Sequence, residues 1–270
     1  MSQAKRLCRP YLDKSPSRRD QLRIAVAGGT GTLGRFVVTD LSSRGHEVRV
    51  LSRSSEEHPV DLTTGTGLDN ALEGCAVVVD VVNDDSKHAA ATLVDGAQRL
   101  LAAEHDAGVG HHVCVSIVGC ERLPIGYFAA KAEQERVVVK GPMPWSIVRA
   151  TQFHQLVNDA LTRAARWRLL PLPRAKLQPV AAEEVAKAVT DVAEGAPLHD
   201  RIQIAGPQMC DARRLARSWA SITGRHLVLA PVPFPGKTGR ALRSGVLTAE
   251  HPDIHASLSF AGWLAANHQL

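Results

Sequence analysis

The feature that most constrains the fold is a short stretch near the N-terminus in which the residue pattern changes three times. Arg23–Ala27 is a run of β-forming residues, a glycine-rich segment at 28–34 follows, and residues 35–41 have the apolar spacing of a helix. Gly45 ends this helix, and Glu47–Leu51 is a second β-type run. A strand, a glycine-rich turn, a helix and a strand within about 30 residues predict a βαβ unit with two parallel strands.

The alternation of apolar runs and helical patterns continues to about residue 150. Apolar runs predict strands at 76–82, 112–118 and 145–148, and a very short one at 60–62. Helical spacing predicts helices at 68–72, 87–107 and 128–139. Five to six parallel strands interleaved with helices predict an α/β fold built on a doubly wound parallel sheet, the Rossmann arrangement.

The pattern changes after residue 151, where proline-rich segments separate predicted helices at 153–165, 182–193 and 212–223. We expect a Rossmann core at 22–150 and a small substrate-binding lobe at 151–270, packed on the core as one structural unit. A flexible basic tail at 1–21 precedes them. Residues 1–20 carry +4 of the formal charge of +5, so the remaining chain is nearly neutral. That balance argues against a nucleic-acid partner.

Composition excludes several other classes. The chain has no apolar run of the roughly 18 residues that a membrane helix needs, and no apolar segment typical of a secretory signal follows the N-terminal charges. The five cysteines are scattered, as in a cytoplasmic protein, and neither they nor the 12 histidines show metal-ligand spacing. We therefore predict no membrane partner and no metal. The sequence does not fix an oligomeric state, and a homodimer is left open.

The glycine-rich segment fits two overlapping patterns, Gly29-x-Gly31-x-x-Gly34 and Gly28-x-x-Gly31-x-x-Gly34. Glycine permits the tight turn and the close approach of backbone amides to a pyrophosphate, and the following helix directs the positive end of its dipole there. Because the motif follows the first strand and opens a helix, it predicts a dinucleotide site. The alternative is a glycine-rich turn without a ligand.

The end of the second strand indicates which dinucleotide binds. A carboxylate at this position usually contacts a free ribose 2′-hydroxyl, but the chain has Leu51-Ser52-Arg53-Ser54. Arg53 can pair with a 2′-phosphate, so Ser52 and Arg53 predict NADP(H) rather than NAD(H). The alternative is a solvated surface arginine.

Three further residues suggest reduction chemistry. Tyr127 and Lys131 are four positions apart on a predicted helix and share a face, and Ser116 lies at the end of the preceding strand. A phenol can donate the proton that carbonyl reduction requires, a nearby ammonium lowers its pKa, and a serine hydroxyl can orient the substrate oxygen. The alternative is a packed tyrosine beside a solvated lysine.

Together these motifs resemble the short-chain dehydrogenase/reductase superfamily, and the details are similar to its atypical, NmrA-like NAD(P)-binding branch. The similarity spans roughly residues 22–265. It is carried by Val115-Ser116-Ile117-Val118-Gly119, by the stretches 127–135 and 144–153, by Gln178-Pro179-Val180 and by Gly262-Trp263-Leu264.

The resemblance implies a role for each site residue. The pyrophosphate would lie against Gly28, Thr30, Gly31, Thr32, Leu33 and Gly34. Arg53 would hold the 2′-phosphate, and Asp61 and Leu62 would border the adenine. Asn83 would line the nicotinamide ribose, and Lys131 would bond the ribose hydroxyls. Phe153, His154 and Gln155 would lie where the substrate cleft opens.

These observations predict an NADPH-dependent oxidoreductase that reduces a carbonyl, quinone or activated double bond of a small, hydrophobic or aromatic substrate. Tyr127, Lys131 and Ser116 would be catalytic. Two alternatives remain: an NADP(H)-binding redox sensor that regulates a partner, and a non-redox isomerase or epimerase. The basic segment 163–176 is interpreted as a solvated surface; the alternative is that it binds an acidic substrate or a nucleic acid.

Overall fold

The computed structural model describes residues 21–167, 169–172, 174–226 and 228–268. The predicted basic tail therefore lies outside the described residues except for Gln21. The strands are β1 (Arg23–Ala27), β2 (Glu47–Leu51), β3 (Val77–Asp80), β4 (His111–Ile117), β5 (Trp145–Ala150), β6 (Leu169–Leu172), β7 (Lys176–Leu177), β8 (Arg201–Ala205), β9 (Cys210–Asp211), β10 (Val228–Pro231) and β11 (Ile254–His255). The helices are α1 (Thr32–Ser43), α2 (Leu68–Leu72), α3 (Gly96–Asp106), α4 (Gly126–Lys140), α5 (His154–Arg166), α6 (Ala182–Ala193), α7 (Ala212–Thr223), α8 (Gly236–Ser244) and α9 (Phe260–His268).

Seven strands form one parallel sheet in the order β2-β1-β3-β4-β5-β8-β11. Ile24 of β1 lies opposite Val48 of β2 on one side and Val77 of β3 on the other. The strand order reverses at β1, because the chain adds β2 to one edge and then every later strand of this sheet to the other. This confirms the predicted doubly wound α/β fold. Ligands of such sheets bind beyond the carboxyl ends of the strands at the reversal.

The two faces of the sheet bury two separate hydrophobic cores. Ile24 and Val26 of β1 pack into the core that α1 and α6 cover, whereas Ala25 and Ala27 pack into the core under α2, α3 and α4. This alternation follows from the two-residue repeat of a strand. Because both faces of the sheet are covered at β1, this strand is buried and gives the following turn a fixed position.

The predicted strand at 60–62 does not form. Only isolated bridges occur there, between Ser52 and Pro59 and between Asp61 and Thr66. Pro59 has no amide hydrogen to extend a ladder, and the Asp61 carboxylate accepts a hydrogen bond from the Thr63 amide at 2.9 Å, which closes a turn. The predicted helix at 87–107 forms from Ala89 onward but contains one π-helical turn at Ala91–Asp95 before α3.

The C-terminal part of the chain contributes more to the sheet than the sequence indicates. Strands β8 and β11 extend it beyond β5, and α6 packs on α1. The main sheet therefore includes strands from both sides of residue 150. The division of the chain into a core and a lobe at this residue stays a prediction. A separate hydrophobic cluster joins α5, α7 and α9 around Trp219, whose indole donates to the Asn158 side chain at 2.8 Å.

Candidate cofactor site and active site

The glycine-rich segment forms the turn between β1 and α1. Gly28 has a positive φ of 79°, and its amide donates to the Leu51 carbonyl at 2.9 Å. A methyl group on Gly34 would lie 2.2 Å from the Gly28 carbonyl oxygen, so only glycine lets α1 start this close to β1. Gly31 is the N-cap of α1 and offers no side-chain cap, and the first turn holds no acidic residue. The positive end of the α1 dipole is therefore left for an anionic ligand.

A cavity of about 1070 Å³ runs along the carboxyl ends of β1 to β4. Every predicted cofactor residue except Gly34 lines it: Gly28, Thr30, Gly31, Thr32, Leu33, Ser52, Arg53, Asp61, Leu62, Asn83 and Lys131. Gly34 lies behind the turn, where it sets the distance between α1 and β1. The cavity thus combines an uncapped helix start, a close backbone approach and a cation at each end, a set of groups that fits an adenine dinucleotide.

At the β2 end of the cavity lies a cation, Arg53, that forms no salt bridge with any carboxylate of the described residues. Arg53 is exposed at the cavity edge beside Ser52 and Ser54. The nearest acid along the wall is Asp61, whose carboxylate accepts hydrogen bonds from the Thr63 hydroxyl at 2.7 Å and the Thr63 amide at 2.9 Å. These bonds, and then the charge of Arg53, hold the pKa of Asp61 below its usual value. Asp61 is therefore ionised at neutral pH and is turned toward its own loop.

Lys131 lies at the opposite end and is 3% exposed, with its side chain on the cavity wall. Its ammonium group donates to the carbonyls of Val82 and Val115, each at 3.1 Å, and to the Gln134 side-chain oxygen at 3.0 Å. A buried ammonium has three hydrogens to donate, and each has an acceptor here. The network therefore fixes the position of the charge at the carboxyl ends of β3 and β4.

Tyr127 is half-buried beside this end of the cavity. Its hydroxyl donates to the Asn83 side-chain oxygen, and Asn83 lines the cavity. Burial, followed by the charge of Asp85, raises the pKa of Tyr127 above its ordinary value. The expectation that Lys131 lowers this pKa is therefore wrong, since the Lys131 ammonium donates to Val82 and Val115 instead.

Ser116 lies near the end of β4, is buried, and lines the cavity. Its hydroxyl is 3.7 Å from the Cys120 sulfur. Glu135, which was not predicted from the sequence, lies behind Ser116. Its carboxylate accepts hydrogen bonds from Arg149 at 2.6 and 2.8 Å and from Arg201 at 2.9 Å. Burial acts to raise the pKa of Glu135, but these bonds hold it below its usual value. The buried ion cluster anchors α4 to β5 and β8.

The three predicted substrate residues separate at the start of α5. Phe153 lines the cavity. His154 is fully buried: its Nε2 donates to the Leu258 carbonyl oxygen at 3.0 Å, and its ring packs against the rings of Phe260 and Trp263. Gln155 donates to the Glu183 carboxylate at 3.3 Å.

The assignment of His154 and Gln155 to the cleft is therefore not supported by their positions. Consecutive helical residues point about 100° apart, so they do not share one wall. Leu156, which the sequence analysis missed, lines the cavity with Phe153 and is 48% exposed. Leu156 could have been predicted from the sequence, because residues three positions apart on a helix lie on the same face and Leu156 is three positions after Phe153.

A second group missed from sequence lies under the cavity floor. Asp80, His112 and Cys114 place three potential metal ligands within 4.8 Å of one another, all buried. Two of these side chains also have other partners: His112 Nδ1 lies 2.9 Å from a Glu104 oxygen, and Asp80 accepts from the Gln134 amide at 2.8 Å. His112 Nε2 is buried without a hydrogen-bond partner among the described residues. Asp80, the one acidic residue in the apolar run 76–82, was the sequence feature that could have indicated this group.

Comparisons with known proteins agree with this geometry. A protein-family model described as NAD(P)H-binding matches residues 28–195. The 4-hydroxy-2-methyl-3-oxo-4-farnesyl-3,4-dihydroquinoline-1-oxide ketoreductase of Stigmatella aurantiaca is 27% identical, over 54% of this chain and 57% of the ketoreductase. The chain thus spans little more than half the length of this curated relative.

Solved structures share the fold at low identity. A nucleoside-diphosphate-sugar epimerase from Staphylococcus aureus superposes with a TM-score of 0.75 at 15% identity, covering 90% of this chain and 100% of the epimerase. An NADPH-dependent quinone oxidoreductase from Escherichia coli, in complex with NADPH, gives 0.71 at 15% identity over 90% and 99%.

The protein belongs to the NAD(P)H-binding family, since the family model covers more than half of the chain. This confirms that the chain is of the predicted NAD(P)-binding kind. Within the described part of the chain, none of the helices is both long and apolar enough to cross a bilayer.

Proposed function

We propose that the protein is an NADPH-dependent reductase of a carbonyl, quinone or activated double bond in a small hydrophobic molecule. One observation carries the proposal: one cavity extends from the glycine turn to Ser116, Lys131 and Asn83, and Asn83 accepts a hydrogen bond from Tyr127 just outside the cavity lining. The apolar side chains of Phe153 and Leu156 at the same end favour a hydrophobic substrate.

Bound NADPH supplies a hydride. The residues of this chain supply the rest: Ser116 orients the substrate oxygen with its hydroxyl, and Tyr127 donates the proton to that oxygen. The raised pKa of Tyr127 keeps the phenol protonated at neutral pH, as an acid must be. In this structure the Tyr127 hydroxyl donates to Asn83. It must therefore break that hydrogen bond and form one to the substrate oxygen before it can give up the proton. The Lys131 ammonium, held on the cavity wall, would bond the ribose hydroxyls of the cofactor.

The test is oxidation of NADPH with a panel of quinones and ketones, using Tyr127→Phe against the wild type. We expect turnover to fall by at least about 100-fold, within the range lost with a general acid, while NADPH still binds. Tyr11→Phe is the matched control, because Tyr11 is the only other tyrosine in the chain. Near-full activity of Tyr127→Phe would eliminate the proposed acid.

We propose in addition that the cofactor is NADP(H) rather than NAD(H), with Arg53 on the 2′-phosphate. Arg53→Ala is expected to raise the Kd for NADPH about tenfold or more, the cost of one charged hydrogen-bonded contact, and to leave the Kd for NADH unchanged. Arg136→Ala, on the exposed face of α4 beside Glu133, is the control. Tighter binding of NADH than of NADPH by the wild type contradicts the assignment.

A redox sensor without turnover is the second candidate. It is favoured by the hydrogen bonding of the site, since Tyr127 is bonded to Asn83 and does not line the cavity, and the Lys131 donors all have acceptors. A sensor predicts a large difference between the Kd values of NADPH and NADP⁺, with no oxidation of NADPH by any acceptor in the panel. An isomerase or epimerase would instead form product without net consumption of the cofactor.

A further inference from the structure

A buried pair of side chains lies directly behind Lys131. Gln134, 1% exposed, is one helical turn along α4 from Lys131 and accepts a hydrogen bond from its ammonium group at 3.0 Å. The amide nitrogen of Gln134 donates to Asp80 Oδ2 at 2.8 Å, and Asp80 Oδ1 accepts from the Val82 amide at 3.0 Å. Asp80 is the last residue of β3 and is 1% exposed.

The chemistry of this chain permits only one orientation of the amide. An ionised carboxylate can only accept hydrogen bonds and an ammonium can only donate them. Gln134 must therefore turn its nitrogen to Asp80 and its oxygen to Lys131, and a flipped amide would lose both bonds. The Asp80 carboxylate thus fixes Gln134, and the Gln134 oxygen fixes the Lys131 ammonium on the cavity wall. In the same way, the Val82 amide holds Asp80 at the end of β3.

We propose that Asp80 and Gln134 are positioning residues that hold the Lys131 ammonium in place for the cofactor. The inference rests on the proposed contact between Lys131 and the bound cofactor. The carbonyls of Val82 and Val115 accept two of the three ammonium hydrogens. The Gln134 oxygen, aimed by Asp80, accepts the third, so it fixes the ammonium group from a third side on the cavity wall.

An exchange of the two groups tests the inference, with the Kd for NADPH measured by fluorescence titration. Asp80→Asn leaves one oxygen for two donors, the Val82 amide and the Gln134 nitrogen, and Gln134→Glu places two carboxylates together, so each single variant is expected to weaken NADPH binding about fivefold or more. The double variant D80N/Q134E restores one amide that donates to one carboxylate, which in turn faces Lys131. We expect its Kd to return to within about twofold of the wild type.

Controls separate positioning from general destabilisation. Ser146→Ala removes a buried hydroxyl that contacts His111 at 2.8 Å and the Leu198 amide at 2.9 Å, far from Lys131 in the network, so it should lower the melting temperature without changing the Kd. If Gln134→Glu does not fold, Asp80→Asn and Gln134→Leu give the same readout. A Kd within twofold of the wild type in either folded single variant overturns the inference, as does a double variant that binds as weakly as the product of the two single effects.

Lys131→Ala distinguishes this inference from the function on which it rests. A Kd at least tenfold weaker in Lys131→Ala supports the contact with the cofactor. If that loss occurs while the Asp80 and Gln134 variants bind normally, only the positioning role is wrong. If Lys131→Ala binds NADPH as the wild type does, both the contact and the positioning role are overturned.

Discussion

Gly34→Ala tests the link between the backbone of the turn and the cofactor site most directly. The new Cβ would lie 2.2 Å from the Gly28 carbonyl oxygen and 2.7 Å from Gly29 Cα, whereas ordinary contact begins at 3.4 Å. The start of α1 must therefore move away from the turn by about 1 Å, since both neighbours are backbone atoms that cannot rotate aside. Overpacking of this kind costs about 1–3 kcal/mol, so the protein should still fold.

The same displacement moves the α1 amides away from the cofactor. Losing one hydrogen bond to a charged phosphate costs about 1.5–3 kcal/mol, which is roughly a 10- to 100-fold increase in the Kd for NADPH. Fluorescence titration and urea unfolding measure the two effects. Gly110→Ala is the control, because its Cβ would meet the Ala76 carbonyl oxygen at an ordinary 3.6 Å. A Gly34→Ala protein with unchanged Kd and unchanged unfolding free energy would refute the role given to the turn.

Two further predictions concern stability. Glu104→Leu breaks the fully buried pair with His112 (2.9 Å between Oε1 and Nδ1) and should lower the unfolding free energy by about 3–5 kcal/mol in urea titrations; a loss below about 1 kcal/mol would contradict it. Burial lowers the pKa of His111 from 6.5 to about 4, so folding favours its neutral form. Its contribution of about 3 kcal/mol is complete above pH 6.5 and is lost as the pH falls toward 4. His111→Gln should flatten this part of the profile of unfolding free energy against pH, and an unchanged slope would argue against it.

Local signals in the sequence were sufficient for much of the fold. The predicted helices at 182–193 and 212–223 coincide with α6 and α7, because their apolar residues repeat along one face and α7 begins with an aspartate cap, Asp211. The glycine pattern was also sufficient for the β1–α1 turn, since its spacing meets a steric requirement at Gly34.

Contacts between distant segments were beyond the same reasoning. Strand β8 alternates Arg201 and Gln203 with isoleucines, a visible two-residue period, but only its pairing with Ile147 to Ala150 of β5 shows that it belongs to the main sheet. His154 was assigned to the cleft because it follows β5, and its burial depends on α9, more than 100 residues later in the chain. The local sequence predicts which residues share one side of a helix, but it does not predict which of those sides faces the cavity.

The two ends of the cavity differ in how much binding must change them. At the glycine turn, α1 already presents an uncapped N-terminus, so a pyrophosphate gains contacts without breaking any side-chain hydrogen bond there. At the other end, Tyr127 donates to Asn83, and Lys131 donates to three acceptors. The nicotinamide half of a cofactor must therefore exchange existing hydrogen bonds for new ones, and these contribute less net free energy than bonds formed by unpaired groups. It follows that affinity should come mainly from the adenine and pyrophosphate half, whereas the nicotinamide end determines reactivity.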